Sequence, residues 1–94
     1  MATKVNASHI LVKTEEEAKQ IKLALDNGKS FESIAKEQSM CPSKKNGGSL
    51  GWFTHGQMVR EFEKAAFSMK KGQISQPVKT QFGWHVIKIN DTWG

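Results

Sequence analysis

The first quarter of the chain passes from a β-favouring apolar run to a helical pattern of apolar positions. Residues 5–13 contain the run Ile10-Leu11-Val12, which predicts a central strand. Thr14 is followed three residues later by Glu17, the spacing of a capping box, which predicts that a helix begins here. Apolar residues then recur at helical spacing up to Asn27-Gly28, where the glycine favours a stop because it tolerates the left-handed conformation.

The middle of the chain predicts a second helix, a loop and a short strand. The helix is expected to start at Ser30, with Phe31 and Ile34 on its apolar face. Residues 39–49 are rich in glycine and polar residues and are expected to form a loop. Residues 50–54 then favour a brief strand.

The last third predicts one more helix and a hairpin. Helical spacing extends over residues 57–69, and Lys70-Lys71-Gly72 predicts its end, with cations at the negative helix terminus followed by a glycine. Residues 74–80 and 84–89 are strand-like and close together, so an antiparallel hairpin is expected. Residues 91–94 are expected to fray.

The order of these elements predicts the fold class. The order β-α-α-(loop)-β-α-β-β has no regular βαβ repeat, and this favours an α+β fold with a small antiparallel four-stranded sheet packed with helices. The 94 residues are enough for one core and contain no linker-like segment. Residues 1–94 are therefore expected to form a single domain.

Composition narrows the functional classes. Cys41 is the only cysteine, which excludes an internal disulfide and a cysteine-rich metal site. No apolar run approaches the roughly 18 residues of a membrane span. The N-terminus also lacks the apolar core of a signal peptide. A cytoplasmic location is therefore expected, and one small core favours a monomer.

The positive charge comes almost entirely from lysines. The formal net charge is +5, and Arg60 is the only arginine among the 14 basic residues. Arginine is the usual choice for bidentate recognition of bases and phosphates, so this composition disfavours specific nucleic-acid binding. Four lysines predict a basic strip on the first two helices: Lys19, Lys22, Lys29 and Lys36. Such a strip favours weak contact with an anionic membrane surface, and the alternative is a solvated surface without a partner.

Four separated segments carry a resemblance to a known family. They are residues 7–13 (ASHILVK), 39–43 with 47–53 (SMCPS and GGSLGWF), 56–62 (GQMVREF) and 77–87 (PVKTQFGWHVI). In this order, and over nearly the whole chain, they resemble the parvulins, peptidyl-prolyl cis/trans isomerases with an FKBP-like fold. Ser49 is a departure, because the family often has an acidic residue there.

The similarity is to single-domain parvulins that do not select phosphorylated substrates. Phosphate-directed members carry an arginine-rich loop after the first strand. This chain has Glu15, Glu16 and Glu17 there, and three acids repel a phosphate.

The resemblance implies rotation about Xaa-Pro bonds of protein substrates, assisting their folding, without metal or cofactor. The barrier of about 18–20 kcal/mol comes from the partial double-bond character of the peptide bond. No group is transferred, so the enzyme only has to favour the twisted amide. An apolar pocket with a few polar groups suits this task, because low polarity favours the less charge-separated twisted state.

The resemblance also implies which residues form the proline pocket. Met58 and Phe62 correspond to positions that hold the proline ring, and the predicted helix would place them one turn apart on one face. Phe53 is expected beside them, with Leu50 at the edge and Phe82 as a wall. The alternative is that these are ordinary core residues.

The polar candidates are two histidines and their neighbours. His9 and His85 correspond to paired histidines on adjacent strands; they either contact substrate or bridge the strands, and are expected to hold Cys41 and Thr80 in place. Cys41 is either a nucleophile, which needs a thiolate and a nearby base, or a polar partner of the carbonyl. The second role is favoured, because bond rotation needs no covalent intermediate. Thr80 and Gln81 are expected to hydrogen-bond the substrate backbone.

A second function from another class remains open. The same apolar groove suits a chaperone or peptide-binding module with weak catalysis. Binding of unfolded protein without any rate effect on Xaa-Pro peptides would distinguish that function from an isomerase.

Overall fold

The computed structural model describes residues 2–94, so Met1 of the predicted domain lies outside the described residues. It contains four strands, three α-helices and one short 3-10 helix. In chain order these are β1 (Lys4–Val12), α1 (Glu15–Asp26), α2 (Phe31–Gln38), the 3-10 helix (Pro42–Asn46), β2 (Ser49–Phe53), α3 (Arg60–Phe67), β3 (Val78–Thr80) and β4 (Gly83–Trp93). The predicted α+β class and element order are confirmed.

The four strands form one antiparallel sheet in the order β2-β1-β4-β3. The long central pair, β1 and β4, runs from Lys4 opposite Trp93 to Val12 opposite Trp84. The prediction that residues 91–94 fray is therefore wrong. The end of β4 is held because the Thr3 N–H donates to the carbonyl of Trp93 at 2.8 Å.

Each face of the sheet has its own apolar cluster, because successive strand residues point to opposite sides. On one face α1 and α2 pack over Ile10, Val12 and Val86. On the other face α3 packs over a second cluster that includes Ala7 and Ile87. The functional cavity lies on the α3 side, so α1 and α2 serve to support the sheet from behind.

The first two helices begin where the sequence predicts. The Thr14 hydroxyl accepts a hydrogen bond from Glu17 N–H at 3.2 Å, and the Ser30 hydroxyl accepts one from Ser33 N–H at 3.3 Å. These N-caps satisfy backbone donors that have no partner inside the helix. The prediction of both helix starts is confirmed.

Three other predicted boundaries are wrong. The loop predicted at 39–49 contains the 3-10 helix, whose first residue, Pro42, has its φ already set for a helical start. The strand predicted at 74–80 shrinks to β3, with only an isolated bridge from Ile74 to Lys88 before it. The helix predicted at 57–69 shrinks to α3, because Val59 is extended, with ψ of 148°.

Candidate functional site

A cavity of about 480 Å³ opens on the α3 side of the sheet. Its walls come from β1, β2, β4 and α3, and from the start of the 3-10 helix with the segment before it. The β3–β4 turn and the β2–α3 turn, which we define as residues 54–59, complete the walls. It is lined by His9, Leu11, Met40, Cys41, Pro42, Leu50, Gln57, Met58, Val59, Phe62, Phe82 and His85. Its volume lies within the range typical of small-ligand sites, and its lining side chains are mostly apolar.

Most of the residues singled out in the sequence meet at this cavity. Those in its walls are His9, Cys41, Leu50, Met58, Phe62, Phe82 and His85. The structure positions three others outside the walls. Phe53 is only 3% exposed and packs behind Phe62, with ring centroids 6.0 Å apart. Thr80 is buried behind His85, and Gln81 is exposed in the β3–β4 turn.

Met58 lines the cavity from a different element than the sequence predicts. It lies before α3, in the β2–α3 turn, so it does not share a helical face with Phe62. The turn stays out of the helix because side chains bind its backbone: Gln57 Oε1 accepts from the Thr54 N–H at 2.7 Å. The two pocket residues are thus brought together by a turn packed against a helix.

Several lining residues are not identifiable from the sequence. They are Leu11, Met40, Pro42, Gln57 and Val59. Met40 joins the wall because its N–H donates to the carbonyl of Leu11 at 2.7 Å, which ties the segment after α2 to the end of β1. The family motif SMCPS includes Met40, but no local pattern indicates which strand residue it meets.

His9 and His85 form a direct pair beneath the cavity. Their Nδ1 atoms are 2.8 Å apart, and the rings are nearly parallel with centroids 5.0 Å apart. The strand register explains the contact, since His85 lies opposite Leu11 and His9 lies opposite Ile87. Both rings make T-shaped contacts with the ring of Phe62, at centroid distances of 5.5 and 5.3 Å.

Both histidines of the pair are neutral at physiological pH. Burial, and secondarily the nearby charge of His85, lowers the pKa of His9 from 6.5 to about 4. Burial also lowers the pKa of His85 to about 4. In a pair of neutral rings, one Nδ1 donates the shared proton and the other accepts it.

The hydrogen bonds of Thr80 favour one direction for the shared proton of this pair. Its hydroxyl oxygen accepts from the Phe82 N–H at 3.1 Å and lies 2.7 Å from His85 Nε2. Because the hydroxyl has one proton to donate, the best-satisfied network has Thr80 donating to His85 Nε2 and His85 Nδ1–H donating to His9. His9 then carries its proton on Nε2, a buried atom without a hydrogen-bond partner within residues 2–94.

Cys41 is held by a serine, and the prediction that histidine hydrogen bonds hold it is wrong. The buried Ser39 hydroxyl accepts from the N–H of Cys41 at 3.3 Å and from the N–H of Leu11 at 3.1 Å. Within the described chain no hydrogen bond joins the Cys41 thiol to a base. Nucleophilic catalysis uses a thiol that is paired with such a base.

The third histidine lies apart from the pair. His55 is exposed in the β2–α3 turn, stacks on Phe67 with centroids 3.9 Å apart, and contacts Glu63 at 3.1 Å. Between Ala2 and Gly94, no three potential metal-ligating side chains of His, Cys, Asp or Glu come together.

The predicted basic strip is partly neutralised within α1. Lys22 lies 2.7 Å from Asp26, and Lys19 lies 3.9 Å from Glu15. Lys29 lies in the connection before α2 and Lys36 lies within α2, and both are exposed. No helix in the described part of the chain is long and apolar enough to cross a membrane.

Comparisons with known proteins give the family. Residues 3–91 match the family model described as rotamase, PPIC-type PPIase domain. The foldase protein PrsA of Geobacillus kaustophilus is 55% identical over 89 residues, which are 94% of this chain and 32% of that protein. This chain thus spans about a third of the length of such curated relatives.

Solved structures agree with the fold and the family. A crystal structure of the peptidylprolyl isomerase PrsA from Bacillus anthracis has a TM-score of 0.97 and 49% identity, covering 99% of this chain and 43% of that one. Pin from the psychrophilic archaeon Cenarchaeum symbiosum has a TM-score of 0.83 and 49% identity, covering 95% of this chain and 93% of that one. The chain belongs to the parvulin family of PPIC-type peptidyl-prolyl cis/trans isomerase domains.

Proposed function

We propose that residues 1–94 form one isomerase domain that accelerates rotation about Xaa-Pro bonds in proline-containing peptides and partly folded proteins. The observation that carries the proposal is an apolar cavity closed on one side by a neutral histidine pair. A strongly hydrated site would favour the planar, charge-separated amide. The apolar cavity beside the neutral histidine pair is suited to the twisted amide.

The apolar wall is the proposed seat of the proline ring. Leu50, Met58, Val59 and Phe62 line one part of the cavity. Phe62 is 2% exposed and braced by Phe53, so its ring is a rigid floor. Rigid apolar walls lower the local dielectric and bind the ring without pairing the amide dipole, which leaves the amide free to twist.

The polar side of the cavity is the proposed contact for the substrate amide. His9 and His85 line this side of the cavity as neutral polar side chains, and their proposed role is to adjust the charge of the twisted amide. Cys41 lies in the same wall and is the proposed polar neighbour of the carbonyl. The proposed role of Thr80 is to position His85, and that of the exposed Gln81 is to hydrogen-bond the substrate backbone outside the cavity.

NMR exchange spectroscopy on a panel of Xaa-Pro peptides tests the proposal. Wild-type protein should increase cis/trans exchange, and Met58→Ala should lower the rate. Met69→Ala is the matched control, since Met69 is also partly buried against the α3-side cluster but lies outside the cavity. If Met69→Ala gives the wild-type exchange rate and Met58→Ala gives a lower one, the cavity beside Met58 is the catalytic pocket.

The opposite result would favour the second candidate function. If folded wild-type protein bound unfolded chains but accelerated no peptide, the cavity would serve a chaperone or peptide-binding module. The apolar lining alone supports such binding, so only the rate measurement separates the two functions.

Contact with a membrane surface, the cellular location and the monomeric state are separate proposals. The exposed Lys29 and Lys36, with the net charge of +5, support weak attraction to an anionic membrane surface, which co-sedimentation with anionic vesicles would detect and high salt would abolish. The cytoplasmic location and the monomeric state predicted from the sequence stay predictions, because the matched segment is only a third of the curated relatives.

A further inference from the structure

The β2–α3 turn, residues 54–59, supplies Gln57, Met58 and Val59 to the cavity wall although it belongs to neither a helix nor the sheet. A wall built on irregular backbone needs anchors of its own, because a strand or helix ladder does not hold it. Side chains provide two of these anchors. One is local, from Gln57 to the N–H of Thr54, and the other comes from α3.

The anchor from α3 is the carboxylate of Glu63. One oxygen accepts a hydrogen bond from the Gly56 N–H at 2.6 Å, and the other contacts His55 Nδ1 at 3.1 Å. The Gly56 N–H, and then His55, lowers the pKa of Glu63, so the carboxylate is ionised at neutral pH. Hydrogen bonds to an ionised acceptor are stronger than neutral ones.

His55 adds a second attachment between the turn and α3. Its ring lies against Phe67, one helical turn after Glu63, with centroids 3.9 Å apart and an interplanar angle of 27°. Glu63 and Phe67 thus hold two successive residues of the turn from one face of α3. Met58 follows two residues after Gly56, within the same short turn.

Glu63 itself is outside the cavity wall, while its neighbour Phe62 is in it. We propose that Glu63 is a positioning residue for the isomerase reaction: its carboxylate clamps the β2–α3 turn to α3 and so holds Met58 across the proline pocket from Phe62. The inference rests on the proposed function. It predicts that the pocket is preformed before substrate arrives, which keeps binding energy for the twisted amide.

Substitution of Glu63 gives the direct test. Glu63→Ala should lower kcat/KM on Xaa-Pro peptides by about tenfold, as expected when a hydrogen bond to a charged acceptor is lost. Most of the change should be in KM, because the loosened pocket weakens binding of both ground and twisted states. Glu63→Gln should restore much of the activity, since its amide oxygen still accepts from Gly56 N–H. Glu61→Ala is the matched control, an exposed acid in the first turn of α3 that is outside the cavity wall.

A double substitution separates positioning from a general loss of stability. If Glu63 acts through Met58, Glu63→Ala should have little further effect on kcat/KM in a Met58→Ala background. The methyl resonance of Met58 should also shift in Glu63→Ala and return in Glu63→Gln. This inference alone would be overturned if the wild type is active and the effects of Glu63→Ala and Met58→Ala on kcat/KM multiply in the double variant. It would also be overturned if Glu63→Ala has the same kcat/KM as Glu61→Ala. A folded but inactive wild type would overturn the proposed function and this inference with it.

Discussion

His9 and His85 lie diagonally across the central strand pair, with their Nδ1 atoms 2.8 Å apart and both rings at least 95% buried from solvent by the same core that forms the pocket floor. The contact requires that at least one ring be neutral, since two protonated rings at this distance would repel. It therefore couples the protonation state of the site to the stability of the sheet.

The first prediction concerns acid stability. The pKa of each histidine is about 4 in the folded chain and 6.5 when unfolded, so protons bind the unfolded state first as the pH falls. The stabilisation is complete above about pH 6.5 and is lost progressively towards pH 4, on the order of 3 kcal/mol per histidine. Urea unfolding at a series of pH values between these limits measures the loss.

The pair itself provides the control for this experiment. His85→Gln leaves one of the two buried titrating rings, so the free energy of unfolding should fall less between pH 6.5 and pH 4 than it does in wild type. A free energy of unfolding that stays constant across this range in the wild type would contradict the assignment of two neutral buried rings.

The second prediction concerns the direction of the hydrogen-bond network. Thr80→Val removes the hydroxyl that bonds to His85 Nε2 and to the Phe82 N–H, and should lower the free energy of unfolding by about 1–3 kcal/mol. Thr80→Ser should retain most of the stability because it keeps the hydroxyl. In wild type, nitrogen-15 spectra should show His85 protonated at Nδ1 and His9 at Nε2. The reverse tautomers would mean that His85 donates to Thr80.

The third prediction concerns the serine beneath the cysteine. Ser39→Ala leaves the N–H groups of Leu11 and Cys41 without their acceptor, which should reduce the free energy of unfolding by about 1–3 kcal/mol and also reduce isomerase activity. Ser68→Ala is the control, because that exposed hydroxyl only donates to the carbonyl of Ala65. Equal stability of the two variants would show that Ser39 does not hold this wall.

The fourth prediction concerns the role of Cys41. As a polar partner of the carbonyl it should be replaceable, so Cys41→Asp should preserve catalysis of Xaa-Pro exchange even where Cys41→Ser reduces it. No hydrogen-bonded base accompanies the thiol in the described chain, which is the reason for this expectation. Loss of activity in both variants, with the fold intact, would instead indicate a nucleophile.

Local sequence signals were sufficient wherever neighbouring residues decide the structure. Thr14 and Ser30 start their helices because a hydroxyl meets an N–H three residues later, and both residues of each contact are visible in one short window. The β-favouring run around Ile10 likewise predicted the central strand. The family resemblance added the site, because residues such as Met58 and His85 stand in recognisable motifs.

Tertiary contacts decided what no short window contains. The apolar spacing of the β2–α3 turn predicts a helix. The hydrogen bonds of Glu63 and Gln57 to its backbone keep it non-helical, so Met58 lines the pocket from a turn. The sequence predicts that the C-terminal residues fray. In the structure β1, from the other end of the chain, pairs with them as far as Trp93.

The sequence by itself determined the first two helices, the central strand, the family and most of the pocket residues, since these depend on local spacing and on motifs. Only the tertiary structure decided which of these groups form hydrogen bonds with each other. The His9–His85 contact and its link to Thr80 depend on the register of the strands. The bond from the Leu11 N–H to Ser39 depends on how the end of α2 packs against β1. Hydrogen bonds depend on distances of a few tenths of an ångström, which arise only when the whole sheet is assembled.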